Sequence, residues 1–200
     1  MQMKRIGIFG GSFDPIHYGH LHLAEEARCR AKLDQVLFIP AWVSPFKQDT
    51  QPADGSQRLE MVRMAIASNP GFSVSDMELK RREVSYTADT LRRCKAMAGG
   101  ESRLYFITGT DAFLTIEQWY KSEELLRNYS FLIGTRPGYC EEELSRIIGK
   151  VSQRFGADVQ RIEIPQLDIS SSRIREKIGM GESVRYLLPD GLIYYMEHNG

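Results

Sequence analysis

The sequence predicts an α/β fold: an open, doubly wound parallel sheet with helices on both faces. Two observations predict it. Short β-branched and aromatic runs that read as buried strands alternate with longer segments of helical period. No internal repeat, low-complexity tract or linker divides the chain, so residues 1–200 are expected to form one domain. In such a sheet the ligand sits beyond the carboxyl ends of the strands. Chemistry is therefore expected just after Phe9, Ile39, Ile107 and Ile133.

The elements follow in order. Ile6-Gly7-Ile8-Phe9 reads as a buried strand ending at Gly10-Gly11. His20 to Lys32 reads as a helix with an apolar stripe of Leu21, Leu23, Ala24, Ala27 and Ala31. Val36 to Ile39 is a second strand, stopped by Pro40, and a loop rich in Pro, Asp and Gln runs from Ala41 to about Gly55. Ser56 suits the N-cap of the helix carrying Leu59, Met61, Val62, Met64, Ala65 and Ile66. Phe72 to Val74 is a short strand, Thr87 to Ala98 a helix and Arg103 to Thr108 a strand. Ser130 to Gly134 is a further strand, followed by a helix from Glu141 to Phe155. Val159 to Ile164 alternates apolar and polar residues, as a strand near the sheet edge does. Ser170 to Ile178 is a short helix, and Pro189 suits the first turn of a last helix ending near His198.

Composition narrows the function. The 200 residues are 42% hydrophobic and 26% charged, an ordinary globular balance. With 26 basic and 26 acidic side chains the formal net charge is zero. That argues against a general nucleic-acid or membrane-surface binder, so any anion site must be built locally from a few residues. Cys29, Cys94 and Cys140 lack the spacing of a zinc site or a disulfide framework, which fits a reducing cytoplasm. The N-terminal apolar run, Ile6 to Gly10, is too short for a secretory signal, and no stretch approaches a membrane span. A soluble cytoplasmic protein is expected.

The densest chemistry follows the first strand, in Gly10-Gly11-Ser12-Phe13-Asp14-Pro15-Ile16-His17-Tyr18-Gly19-His20. Paired glycines let the backbone turn tightly and approach a ligand with no Cβ in the way. His20 is expected at a helix start, where N–H groups and the dipole favour phosphate. His17, three residues earlier, can face the same anion. No third ligand is evident for zinc, and the G-x-G-x-x-G fingerprint of NAD-dependent dehydrogenases is absent. The segment closely resembles the G-x-F-D-x-x-H-x-G-H motif of the nucleotidyltransferase superfamily, whose fold is a Rossmann-like doubly wound sheet. The resemblance implies that Gly10, Gly11, Ser12 and Phe13 hold ATP. It also implies that His17 and His20 contact the α-phosphate and stabilise charge developing there.

A partner motif lies near the C-terminus, in Ile169-Ser170-Ser171-Ser172-Arg173-Ile174-Arg175. Serines supply hydroxyl donors and N-caps, and Arg175 can fork onto phosphate oxygens. Alone, this is equally a plain helix cap. Beside the first motif it resembles the superfamily's I-S-S-T-x-I-R segment, which grips the β- and γ-phosphates, with Ser172 where Thr is usual. Ile169, Ser170, Ser171 and Arg175 are thereby ATP contacts, and Arg175 a catalytic group.

The middle of the chain points to the acceptor. Ser85-Tyr86-Thr87-Ala88-Asp89-Thr90-Leu91 opens a helix, and Gly109-Thr110-Asp111 follows the Tyr105-Phe106-Ile107 strand. Asp111 is placed to bind a ribose hydroxyl. Trp119 and Tyr120 come next; Trp119 is either core packing or an exposed indole stacking on a flat ring. Together these segments are similar to the bacterial nicotinate-nucleotide adenylyltransferases, over residues 4 to about 196. The resemblance implies that Trp119 stacks on the pyridine ring and that amides near Thr87 and Tyr120 receive its carboxylate. Gly109 and Asp111 complete the acceptor set. Gly134-Thr135-Arg136-Pro137-Gly138 resembles the family's R-P-G turn beside adenosine, and Pro45-Phe46-Lys47 its P-x-H-K loop, with Phe46 where histidine is common. Arg136 and Lys47 join the ATP set.

The reaction implied is in-line displacement, needing positioning and charge neutralisation rather than a protein nucleophile. The 5′-phosphate of nicotinate mononucleotide attacks the α-phosphorus of ATP, giving deamido-NAD and pyrophosphate in NAD biosynthesis. Mg²⁺ is expected to bridge substrate phosphates, with no protein ligand assigned. The partners expected are ATP and nicotinate mononucleotide, without nucleic acid or membrane; the sequence leaves room for a homo-oligomer. Two alternatives stay open: adenylylation of phosphopantetheine, and a nucleotide-sensing regulator that has kept the fold but not catalysis.

Overall fold

The computed structural model of the chain describes residues 3–45, 52–99, 102–135, 138, 140–165 and 167–199. Among them, six strands form one sheet: β1 (Lys4–Gly11), β2 (Gln35–Pro40), β3 (Phe72–Val74), β4 (Ser102–Gly109), β5 (Ser130–Thr135) and β6 (Asp158–Glu163). Their order is β3-β2-β1-β4-β5-β6, and every adjacent pair is parallel. The chain winds outward from β1 to β3, then returns to β4 and winds the other way. β1 and β4 are thus neighbours whose following segments diverge, which opens a crevice at their carboxyl ends. β6, read from its alternation as near the edge, is the edge strand beside β5.

Both faces of the sheet are covered. On one lie α1 (Tyr18–Arg30), α2 (Gly55–Ile66), α8 (Ser171–Gly179) and α9 (Asp190–Asn199), which bring Leu23, Ala24, Val62, Ile174 and Leu192 onto Phe38, Tyr105, Ile107 and Leu132. On the other lie α4 (Thr87–Ala98), α5 (Thr110–Leu114), α6 (Ser122–Asn128) and α7 (Glu141–Phe155), whose Leu91, Phe113, Leu125 and Val151 pack on Ile8, Leu104, Phe106 and Phe131. Alternate residues of β4 enter opposite cores, so the strand is buried almost throughout. Gly134 lets α1 seat closely: a Cβ there would stand 2.6 Å from Leu23 Cδ1.

Three local readings are corrected. α1 begins at Tyr18, not His20, and His17 is its N-cap in extended conformation (φ −148°). An apolar stripe reports where a helix packs, not where its first turn closes. α2 is capped by Asp54, whose carboxylate accepts from Ser56 N at 2.8 Å, and not by Ser56. Gly10 and Gly11 do not make the turn. Both finish β1 in register with Ile39 and Pro40, and the left-handed residue is Phe13 (φ 48°). Phe13 is held there by its buried ring, packed on Phe9 and Phe38. The short helices α3 (Met77–Arg81), α5 and α6, with a 3₁₀ turn at Ile116–Gln118, were not anticipated. Each is too brief for a helical apolar period to declare itself.

Candidate active site

The two motifs, far apart in sequence, are stapled together. Arg175 Nη1 donates to the Asp14 carbonyl at 2.6 Å and lies 3.7 Å from the Asp14 carboxylate; Ser171 Oγ donates to the Pro15 carbonyl at 2.9 Å. The start of α8 therefore sits on the turn between β1 and α1. Ser170 Oγ caps α8 by accepting from Arg173 N at 3.2 Å.

His17 and His20 lie one above the other, ring centroids 3.7 Å apart and 24° from parallel. The His17 backbone N–H donates to His20 Nδ1 at 3.3 Å. His20 therefore carries its proton on Nε2. His17 is buried, and its Nδ1 has no hydrogen-bond partner among the described residues. Burial holds this imidazole down at about 4, from an ordinary 6.5, so it is neutral at pH 7. A bare buried nitrogen costs less than a buried, unpaired N–H, which places the His17 proton on Nε2 as well. Gly19 makes room for the pair: a Cβ there would be 3.0 Å from His17 Nδ1.

Three cavities meet at this crevice. The first, about 420 Å³, is lined by His17, His20, Gly109, Asp111, Ile169 and Ser170 among others. The second, about 490 Å³, is lined by Ser85, Thr87, Phe106, Asp111, Thr115 and Trp119 among others. The third, about 180 Å³, lies between Ser12, Asp14, Trp42, Ser171, Ser172 and Arg175. Gly10, Thr108 and Asp111 wall both the first and the second, and Ser12 both the second and the third. The meeting point is the end of β1, beside β4.

The structure thus gathers Gly10, Gly11, Ser12, His17, His20, Thr87, Gly109, Asp111, Trp119, Ile169, Ser170, Ser171 and Arg175 around one crevice. Trp119 is half-buried rather than exposed; its indole stands edge-on to Phe106 and donates to Thr115 Oγ1 at 3.2 Å. Phe13 is different, because its ring is in the core under His20, leaving only backbone to meet a ligand. Tyr120 is exposed, its ring on Tyr86 at 4.6 Å and Lys121 Nζ 5.1 Å from its centroid, and it is not among the described residues lining the three cavities. Lys47 and Arg136 lie outside the described residues.

Two buried charged residues were missed. Arg58 of α2, 1% exposed, donates to the carbonyls of Ser12, Ala41 and Ala53 at 2.7, 2.8 and 2.8 Å. It joins the segments after β1 and β2 to the one before α2. A basic residue on the helix face shared with Met61 and Val62 was the available signal. Glu78 of α3, 6% exposed, lines the second cavity; a five-residue helix offered no signal.

Among the described residues, no group of three or more His, Cys, Asp and Glu is built to hold a metal, and no helix is long and apolar enough to cross a membrane. Cys94 is buried, which pushes its thiol up to about 11, and the Glu25 hydrogen bond pushes the Cys29 thiol up. Neither offers a ready thiolate at neutral pH.

A family model described as cytidylyltransferase-like matches residues 8–177. A protein named "Probable nicotinate-nucleotide adenylyltransferase" from Thermoanaerobacter sp. is 40% identical over 193 residues, 96% of this chain and 92% of the relative. One of the same name from Moorella thermoacetica is 41% identical over 196 residues, covering 98% and 90%. Among solved structures, the nicotinic acid mononucleotide adenylyltransferase of Plasmodium falciparum complexed with NaAD superposes with a TM-score of 0.78 at 23% identity, over 98% of this chain and 96% of that one.

Proposed function

We propose how this chain, which belongs to the cytidylyltransferase-like family and within it to the nicotinate-nucleotide adenylyltransferases, uses its three cavities to transfer AMP from ATP to nicotinate mononucleotide. The observation that carries the reading is the meeting of those cavities at the end of β1, beside the stacked pair His17 and His20.

The adenosine end of ATP takes the first cavity and the β- and γ-phosphates the third, against Ser171, Ser172 and Arg175. The α-phosphate then lies between them, at Gly10 to Ser12. The acceptor takes the second cavity, with its pyridine ring on Trp119, its carboxylate toward the α4 start at Thr87 and a ribose hydroxyl on Asp111. The Plasmodium falciparum structure that shares this fold is complexed with NaAD.

With both protons on Nε2, His17 and His20 donate to nonbridging oxygens of the α-phosphate without themselves being charged. Those bonds strengthen as negative charge builds in the transition state. The 5′-phosphate oxygen of the acceptor attacks the α-phosphorus, the bond to the β-phosphate oxygen breaks, and pyrophosphate leaves toward Arg175. Arg175 already holds Asp14, so its remaining N–H groups are oriented before the nucleotide arrives. Mg²⁺ bound by substrate phosphates and water would neutralise phosphate charge.

Pyrophosphate release tests the reading. The chain with ATP is offered nicotinate mononucleotide, nicotinamide mononucleotide or phosphopantetheine. Fastest turnover with the first is expected. Preference for phosphopantetheine, or no release with any acceptor, would overturn it in favour of the other two alternatives.

A further inference from the structure

Thr108 stands near the end of β4, beside the end of β1. Two residues beyond the paired Ile8 and Phe106 come Gly10 on β1 and Thr108 on β4. Side chains alternate between the faces of a strand. Leu104 and Phe106 enter the core under α4, α5 and α6, while Tyr105 and Ile107 enter the other. Thr108 continues the series of Leu104 and Phe106, so it faces the acceptor cavity, which Phe106 and Trp119 also line. It lies about 7 Å nearer the carboxyl edge of the sheet than Phe106, one full period of the strand.

Its hydroxyl has nothing in the fold to bond. Thr108 is 6% exposed. The other buried serine and threonine hydroxyls, on Thr90, Ser102, Thr110, Ser130 and Thr135, each have a hydrogen-bond partner. That of Thr108 has none among the described residues. Nor is it sealed in protein. Among the described residues, the side-chain polar atoms that are both sealed and without a partner belong to His17, His22 and Arg81. The Thr108 hydroxyl therefore opens onto the cavities it lines. Burying a hydroxyl without a partner is unfavourable, and a ligand that supplies one recovers the loss.

The shared wall indicates what that ligand is. Gly10, Thr108, Asp111 and Ala112 line both the first and the second cavity. Gly10 and Ala112 have no polar side-chain atom, and a carboxylate such as that of Asp111 only accepts. The Thr108 hydroxyl is thus the one side-chain donor on that wall among the described residues. In-line displacement brings the attacking phosphate oxygen to about 3–3.5 Å from the α-phosphorus. With ATP running from the first cavity to the third and the acceptor in the second, the acceptor's phosphate has to reach the shared wall. We propose that Thr108 contacts the acceptor nucleotide, its hydroxyl donating to a nonbridging oxygen of the 5′-phosphate and holding that phosphate for attack. A neutral hydroxyl bonds an ionised oxygen well without cancelling the charge that makes it a nucleophile. The inference rests on the acceptor assignment made above.

Valine has nearly the shape of threonine without the hydroxyl; serine keeps the hydroxyl without the methyl. Steady-state kinetics of pyrophosphate release, varying each substrate in turn, separate the cases. Thr108→Val should raise the KM for nicotinate mononucleotide about tenfold while the KM for ATP stays within about twofold. Thr108→Ser should hold the acceptor KM within about threefold of the parent. Inhibition by nicotinate riboside, the acceptor without its phosphate, should be the same in the parent and in Thr108→Val. The urea midpoint of Thr108→Val should be no lower than the parent's, because no bond within the protein is lost. A lower midpoint would give the hydroxyl a structural partner and overturn the proposal. So would serine as damaging as valine, equal changes in both KM values, or weaker riboside inhibition in Thr108→Val, which would put the contact on the ribose or the ring. A parent protein inactive with nicotinate mononucleotide would sink the functional reading; an active parent with an unaffected Thr108→Val would sink this inference alone.

Discussion

His17, proposed above to contact the α-phosphate, carries a cost to stability. Its ring is buried at the wall of the first cavity, its Nδ1 has no partner among the described residues, and burial holds it at about 4. The unfolded chain binds a proton at 6.5 that the folded chain refuses until about 4. Stability from this group is therefore complete above 6.5, falls as the pH drops through the window, and levels off below about 4. The gap corresponds to roughly 3 kcal/mol. Urea unfolding at pH 7, 5.5 and 4.5 should show that decline, and His17→Asn should flatten it while cutting turnover. An unchanged pH slope in the variant would place the acid sensitivity elsewhere.

At the scale of elements, the crevice depends on loops held by a helix that contributes nothing to the visible motifs. Arg58 reaches out of α2 to three carbonyls, with the Asp14 and Asp54 carboxylates near enough to offset its charge. Two of those carbonyls belong to Ser12 and Ala41, which wall the second and third cavities. Arg58→Met would bury the three acceptors unpaired, and unfolding in urea should register a loss of about 3 kcal/mol or more. Arg58→Lys, with one donor group in place of a fork, should fall between. A loss in Arg58→Met below about 1 kcal/mol would show that water replaces the guanidinium there.

For the whole molecule, both cores are built on the same strands: β4 sends Tyr105 and Ile107 into one and Leu104 and Phe106 into the other. Neither layer can come apart without stripping the sheet that supports its partner. Residues 1–200 should therefore unfold as one cooperative unit. Two tryptophans report on the site, Trp42 in the third cavity and Trp119 in the second, while far-ultraviolet circular dichroism reports on the sheet and helices. The two signals should share one midpoint. An earlier fluorescence transition would divide the chain into separately folding parts.

The sequence by itself determined the sheet class, the order of its long elements and the two motifs proposed to face phosphate. Those rest on local signals: unbroken apolar runs for covered strands, helical apolar stripes, and a dense cluster of polar residues at a strand end. It also offered the proposed acceptor residues through a resemblance spanning nearly the whole chain. Only the tertiary structure decided that His17 caps α1, that Phe13 rather than a glycine makes the left-handed turn, and that Arg58 and Glu78 bind the cavity walls together. Each of those is settled by partners distant in the chain: Leu187 O on Tyr18 N, Phe38 against Phe13, Ser12 and Ala41 on Arg58, Thr90 on Glu78. A buried charge declares its role only when the groups that satisfy it are in place, because desolvation must be offset by specific bonds that no local pattern encodes.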